Sequence, residues 1–150
     1  MRTGFALLTL LALGAGACGD GGGEPAFECT EPQSLCWEIS VPAGFDATPT
    51  TLYVTAYESY PPAGMPNAMF NGVTDPDIGP GRPYRFQATG IDQFGFTGTK
   101  YLAIALLVEG GGAMSPVEGI DWVGYPTEPV ELDGTPRTLA PIELVVFDIP

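Results

Sequence analysis

Glycine and proline interrupt the sequence so often that few segments are long enough to form a helix. The 150 residues include 21 Gly and 16 Pro. Proline removes a backbone N–H and restricts the residue before it, and glycine in a helix interior costs about 1 kcal/mol. Between these interruptions lie short runs rich in β-branched and aromatic residues, which favour strands. The pattern therefore predicts an all-β fold.

Seven of these runs are candidate strands. They span residues 36–41, 52–58, 84–89, 100–108, 121–125, 130–133 and 138–148. A chain of this length with several short strands predicts one domain, a single antiparallel β-sandwich. In the run 52–58, aliphatic residues alternate with Tyr and Thr, so that both faces of its sheet can be covered. The segment 59–83 contains six prolines and predicts a long loop without regular structure.

The first 18 residues have the layout of an export signal. Arg2 precedes an apolar run at 5–13, and small residues lead from there to Cys18. The run is too short to span a membrane, which takes about 20 apolar residues. The sequence Ala-Gly-Ala-Cys ending at Cys18 resembles the lipobox of bacterial lipoproteins. An ordinary signal peptide with an incidental Cys is the alternative.

The lipoprotein resemblance divides the chain into three segments. It implies a signal peptide at 1–17, a lipidated Cys18 with a flexible Gly-rich tether at 18–27, and a sandwich domain at 28–150. Lipid on Cys18 would anchor the protein to the membrane. Because Gly19 rather than Asp follows the Cys, the resemblance implies sorting to the outer membrane of the bacterial cell envelope.

With Cys18 assigned to lipid, Cys29 and Cys36 remain, and we expect them to form a disulfide in an oxidising compartment. The bond would close an eight-residue loop and stabilise the fold by about 2.5 kcal/mol. The two cysteines lack C-x-x-C spacing and basic neighbours, so a redox role is not indicated.

Charge and composition exclude several classes of function. The chain has 5 Lys and Arg against 18 Asp and Glu, which disfavours binding to nucleic acid. It has no His, which excludes Ser-His and Cys-His catalysis and imidazole metal sites. Among so many acids, paired carboxylates arise by chance, and a Ser-Lys pair would depend on Lys100, the only lysine. We therefore expect no enzymatic activity.

Two loops carry weak candidates for binding. Asp75 and Asp77 lie two residues apart beside a Gly-rich turn and are candidate calcium ligands, since Ca²⁺ prefers oxygen. Their alternative role is to initiate turns by bonding to their own backbone. Phe94 and Phe96 lie in a Gly-rich loop and are candidate contacts to a partner. Their alternative role is a hydrophobic plug beneath that loop.

The strand candidates resemble those of prealbumin-like (transthyretin-like or carboxypeptidase regulatory-like) sandwiches found on bacterial lipoproteins. The likeness rests on segments 52–57, 84–86, 101–106 and 119–125 and on the Pro-rich loop, and it covers residues 36–147. An immunoglobulin-like sandwich is the alternative fold. The enzymatic branch of the transthyretin family hydrolyses a urate derivative with His residues and a Tyr-Arg-Gly-Ser motif. The sequence has neither, so the resemblance does not imply that activity.

These observations predict a lipid-anchored binding or structural module that meets a protein or glycan partner. A carbohydrate-binding or calcium-dependent adhesion module is the alternative. Aromatic side chains aligned on one exposed face would favour a glycan, whereas converging acidic oxygens would favour the ion. The aromatic residues considered for sugar stacking are Tyr53, Tyr57, Tyr60, Phe94, Phe96, Trp122 and Tyr125.

Overall fold

The computed structural model describes residues 27–70 and 72–148. The predicted signal peptide, Cys18 and all of the tether before residue 27 lie outside these residues. The described chain is all-β, and two sheets pack as a single sandwich, as the sequence predicted. Within it, no helix is long and apolar enough to cross a membrane.

Ten strands and one 3₁₀ helix make up the sandwich. They are β1 (Ser34–Ser40), β2 (Pro49–Tyr57), β3 (Ala68–Met69), β4 (Val73–Thr74), β5 (Tyr84–Thr89), the 3₁₀ helix (Ile91–Phe94), β6 (Gly98–Val108), β7 (Trp122–Gly124), β8 (Val130–Leu132), β9 (Arg137–Glu143) and β10 (Val145–Val146).

Each of the seven predicted runs contains a strand, and two details differ from the prediction. The run 138–148 is divided at the buried Leu144, between β9 and β10. The segment 59–83 holds the short strands β3 and β4, so the prediction of a loop without regular structure was wrong there. Both strands pair with β2 on the side away from β6. They supply hydrogen-bond partners for backbone groups of β2 that would otherwise lie at a free edge.

The strands form one small and one large sheet. The three-stranded sheet has the order β5-β1-β9. The seven-stranded sheet has the order β10-β7-β6-β2-β3, with β4 also paired to β2 and β8 to β6. Among the described strands, β1 and β9 form the one parallel pair, and the other pairs are antiparallel.

The hydrophobic core lies between the two sheets. From β1, Leu35, Trp37 and Ile39 point inward and are almost completely buried. Alternate residues of β2 and β6 point inward from the opposite sheet, as period-2 patterning requires. The indole Nε1 of Trp37 donates a hydrogen bond to the Ala140 carbonyl at 2.9 Å, so the buried ring also satisfies its polar atom.

Residues 27–33 lie across the outer face of the three-stranded sheet. The predicted disulfide between Cys29 and Cys36 is present, with 5.5 Å between the Cα atoms. The Cys29 N–H donates to Thr138 Oγ1 at 2.8 Å. The Phe27 ring lies 5.6 Å from the Arg85 guanidinium carbon. These contacts fasten the N-terminal segment to β1, β5 and β9.

Candidate functional site

The outer face of the seven-stranded sheet is a trough. Its central strand β6 places Ala103 and Ala105 on this face, because the larger residues at 102, 104 and 106 point into the core. Ala105 pairs with Tyr53 of β2 on one side and with Val123 of β7 on the other. Ala103 and Ala105 are nevertheless buried, and Ala105 forms a small hydrophobic cluster with Tyr53, Leu107 and Val123, on which Phe147 packs. The open channel on this face is lined by other residues, among them Tyr57, Tyr60 and Tyr125.

Two loops form the walls of this channel, which we call the aromatic groove. Its principal lining residues are Tyr53, Tyr57, Tyr60, Tyr125 and Phe147. The loop at 60–66 forms one wall, and residues 113–116 form the other. Two adjoining cavities within the groove have volumes of about 440 and 620 Å³. Sites for small ligands typically have volumes of about 300–1,000 Å³.

Burial raises the pKa of two tyrosines of the groove, Tyr53 and Tyr125. Tyr53 is buried, and its hydroxyl donates to the Met114 carbonyl at 3.3 Å. Burial above all raises the pKa of Tyr53 to about 12, and Tyr57, Asp121 and Tyr125 add to this effect. Burial and the neighbouring Tyr57 also raise the pKa of Tyr125. Tyr53 and Tyr125 therefore present neutral phenol rings, whose faces carry partial negative charge.

A fully buried carboxylate holds the wall between β6 and β7. Asp121 Oδ1 accepts the Val108 N–H at 2.9 Å, and Oδ2 accepts the N–H groups of Gly112 and Val117, both at 2.7 Å. Hydrogen bonds to an ionised oxygen are about twice as strong as neutral ones. The loop that carries Met114 is thus wrapped around one negative charge.

Glycine is required where this loop approaches the carboxylate. A Cβ on Gly111 would collide with Asp121, and one on Gly112 would collide with the Ser115 carbonyl. Sequence reasoning treated Asp121 only as the first residue of a strand. The signal that it missed is the run of three glycines at 110–112, shortly before a buried acid.

The calcium candidates lie on a turn between β4 and β5. Asp75 and Asp77 are both exposed, and Asp77 Oδ1 lies 3.0 Å from Arg82 Nη1. Within residues 27–70 and 72–148, no group of three or more His, Cys, Asp or Glu is placed to hold a metal ion. The described structure therefore brings no third such ligand to Asp75 and Asp77.

Of the two Phe candidates for a partner contact, the structure describes the side chain of Phe96 alone. Phe96 is fully buried and stacks on Phe70, with 3.9 Å between the ring centroids. It fills the core beneath its loop, as the plug alternative predicted, and it has no exposed surface for a partner. Phe94 ends the 3₁₀ helix, and its side chain lies outside the described part of the structure.

The other residues considered for sugar stacking separate into two groups. Tyr53, Tyr57, Tyr60 and Tyr125 meet at the aromatic groove. Trp122 faces the core instead, edge-on to Phe45 with 5.1 Å between the ring centroids. The alternation of strand β7 explains the difference, because neighbouring residues point to opposite faces. Sequence reasoning did not single out Phe147, which lies at the end of the last predicted strand.

The four Lys and Arg side chains of the described chain are engaged in ion pairs. The pairs are Arg82 with Asp77, Arg85 with Glu38, Lys100 with Glu58 and Arg137 with Asp133. Lys100, considered above for a Ser-Lys pair, places its Nζ 3.2 Å from Glu58 Oε1. Among the described residues that line the aromatic groove, Asp148 is the single charged side chain.

Comparisons of this chain with protein-family models, with curated proteins and with solved structures give no match. The function of the groove is therefore interpreted from its own residues and from their chemistry.

Proposed function

We propose that the protein is a lipid-anchored, non-enzymatic binding module of the bacterial cell envelope, and that its partner binds in the aromatic groove. The observation that carries this proposal is the pair of adjoining cavities, of about 440 and 620 Å³, which four tyrosines and Phe147 line between the two wall loops. Met65 and Met114 lie on the two wall loops with 92% and 84% of their surface exposed. Exposed methionines beside an aromatic channel are common at surfaces that bind partners.

In this proposal the anchor and the groove belong to opposite faces of the sandwich. The disulfide fastens residues 27–33 to the outer face of the three-stranded sheet. Cys18 precedes Phe27 by only nine residues. A lipid on Cys18 would therefore hold the domain through a segment on the face opposite the groove, by the predicted flexible tether, which spans at most about 30 Å. This arrangement suits display of the groove to a partner outside the membrane.

The strand order supports a prealbumin-like sandwich over the immunoglobulin-like alternative. In an immunoglobulin sandwich the first strand lies beside the second strand in the same sheet. Here β1 pairs with β5 and β9, whereas β2 belongs to the opposite sheet. We therefore propose the prealbumin-like topology for this chain.

Labelling with a radioactive fatty acid tests the anchor. We expect label on the parent protein and none on the Cys18→Ala variant, which should leave the membrane fraction. A Cys29→Ala, Cys36→Ala double variant is the matched control, because it removes cysteines without touching the lipid site. Equal membrane fractionation of parent and Cys18→Ala, without label on either, would exclude the lipoprotein assignment.

Site-specific cross-linking in intact cells tests the groove. The photoreactive residue benzoylphenylalanine replaces Met114 on the groove wall or, as a control, the exposed Glu143 on the other sheet. We expect discrete adducts from position 114 that are absent from position 143. Identical adduct patterns, or none from position 114, would contradict binding in the groove.

A carbohydrate-binding module is the second candidate function. The observation in its favour is that the side chains of Tyr57, Tyr60 and Tyr125 line one groove and are partly exposed. Such rings can stack on the apolar faces of sugars. An N-acetylglucosamine oligomer is a suitable probe, and binding that Tyr125→Leu abolishes would favour this candidate.

A further inference from the structure

We propose that the occupant of the aromatic groove is an extended, basic peptide segment of a protein partner, with a Lys or Arg side chain seated against the tyrosine rings. This inference rests on the proposed function, because it names the partner of the same groove. It is carried by three observations: the charge around the groove, the shape of the groove, and the state of the hydroxyl groups on its floor.

Charge complementarity favours a cation. The chain carries a formal net charge of -13, and the described Lys and Arg side chains are paired with acids. Asp148 places a carboxylate at the end of the groove beside Tyr60 and Tyr125. An ammonium or guanidinium group near tyrosine faces is stabilised by the ring quadrupole, and a carboxylate adds direct attraction. An anionic ligand would meet repulsion from the same field.

The shape of the groove favours an extended chain. Residues 51, 53, 55 and 57 of β2 contribute to it in turn, from the Gly72 end to the end near Asp148. Six residue steps along a strand span about 20 Å, the length of an extended segment of about six residues. The apolar surfaces of Pro62, Met69 and Phe147 along the groove accommodate apolar side chains and the aliphatic stem of Lys or Arg.

The hydroxyl groups of the floor favour a peptide over a sugar. Recognition of a sugar needs several free hydrogen-bonding groups next to the stacked ring. The Tyr53 hydroxyl already donates to the Met114 carbonyl at 3.3 Å, and the buried Thr55 hydroxyl donates to the Ala103 carbonyl at 3.3 Å. At Tyr53 and Thr55 the floor therefore offers hydroxyl groups that already donate hydrogen bonds within the protein. The apolar surface around them matches aliphatic side chains.

Fluorescence anisotropy with the purified full chain in non-ionic detergent tests this proposal. The probe is a fluorescein-labelled peptide in which Arg alternates with Val, and the matched probe carries citrulline, the neutral isostere of Arg. We expect the Arg peptide to bind and the citrulline peptide to bind about tenfold more weakly or worse. Tyr125→Leu and Asp148→Asn should each weaken binding of the Arg peptide by a similar factor.

Two further variants separate specific from general attraction. Glu143→Gln removes one negative charge from the opposite sheet, and we expect less than a twofold effect. Ala63→Trp, at an exposed wall position that lines both large cavities, fills the groove and should abolish binding. Tyr125→Leu is the second test should this variant fail to fold. Equal binding of both peptides, or equal effects of Glu143→Gln and Asp148→Asn, would overturn the proposal.

The remaining outcomes distinguish this inference from the proposed function. If adducts form at position 114 in cells but the Arg peptide does not bind, the proposed function stands and the basic peptide is excluded. If an N-acetylglucosamine oligomer binds instead and Tyr125→Leu abolishes its binding, the occupant is a glycan and the peptide proposal is wrong.

Discussion

Replacing Asp121 by Asn removes one charge from a fully buried site and changes almost nothing in volume. The carboxylate accepts three backbone N–H groups through its two oxygens. Asn retains a single oxygen, which can serve Gly112 and Val117 in the manner of Oδ2. Its NH₂ group then faces the Val108 N–H, and two donors meet without an acceptor.

The expected cost follows from these hydrogen bonds. A buried N–H left unsatisfied costs about 1–3 kcal/mol, and the two retained bonds lose their charge assistance. We expect the free energy of unfolding to fall by about 3 kcal/mol for Asp121→Asn. Asp121→Ala leaves three N–H groups without the carboxylate, and its cost should reach about 4 kcal/mol or more. The melting temperature of a domain of this size should fall by about 10 °C for the Asn variant.

Guanidinium unfolding, followed by the fluorescence of the buried Trp37, measures these changes. Asp46→Asn, at an exposed loop position, is the matched control and should change stability by less than about 0.5 kcal/mol. Amide hydrogen exchange at Gly112 and Val117 should accelerate in the Asn variant. If Asp121→Asn unfolds at the same denaturant concentration as Asp46→Asn, with the same slope, the carboxylate does not hold the groove wall.

Three further predictions concern other parts of the molecule. The pKa of Tyr53 is raised from 10.0 to about 12, so its contribution to stability is complete below pH 10 and is lost as the pH rises toward 12. Tyr53→Phe should remove the highest-pH step of the tyrosinate absorbance titration, and an unchanged titration would contradict this assignment. Replacing Cys29 and Cys36 together by Ala should lower the free energy of unfolding by about 2.5 kcal/mol, and reduction of the parent protein should give the same loss. An unchanged unfolding midpoint would show that the bond adds no stability. Gly112→Ala should cost about 2 kcal/mol or more, measured by thermal unfolding, because its Cβ collides with backbone. Gly44→Ala, which meets open space, is its control, and equal melting temperatures would refute the steric argument.

The local pattern of the sequence carried most of the information on the fold. Strand β5 coincides with the predicted run at 84–89, because a proline precedes it and a glycine follows it. Strand β3 was missed because Ala68 has weak strand propensity, and β4 was missed because Val73 and Thr74 favour strands but make up too short a run to stand out between prolines and glycines. They are strands because the edge of β2 supplies hydrogen-bond partners, and such long-range pairing leaves little trace in a short window of sequence.

The groove was harder to predict than the sheet beneath it. The alternation of Ala103 and Ala105 with larger aliphatic residues is visible in the sequence, and it places the small residues on one face. What covers that face depends on its neighbours. Ala105 is buried beside Tyr53 and Val123, and the open cavities lie where the loop at 60–66 meets Tyr125 and Phe147, an approach set by the tertiary structure. The same holds for Asp121, whose burial depends on the glycines that fold over it.

The disulfide between Cys29 and Cys36 also sets how the domain would carry mechanical load. In the anchored protein that we propose, tension on the tether reaches Cys29 and passes through the bond directly to Cys36, the third residue of β1. The residues between the two cysteines bear none of this tension and cannot be drawn out. Strand β1 is the middle strand of its sheet, hydrogen-bonded to β5 on one side and to β9 on the other. Tension along the axis of β1 therefore acts in shear on its hydrogen bonds to β5 and to β9 at the same time. The domain consequently resists unfolding when it is pulled from its anchored end.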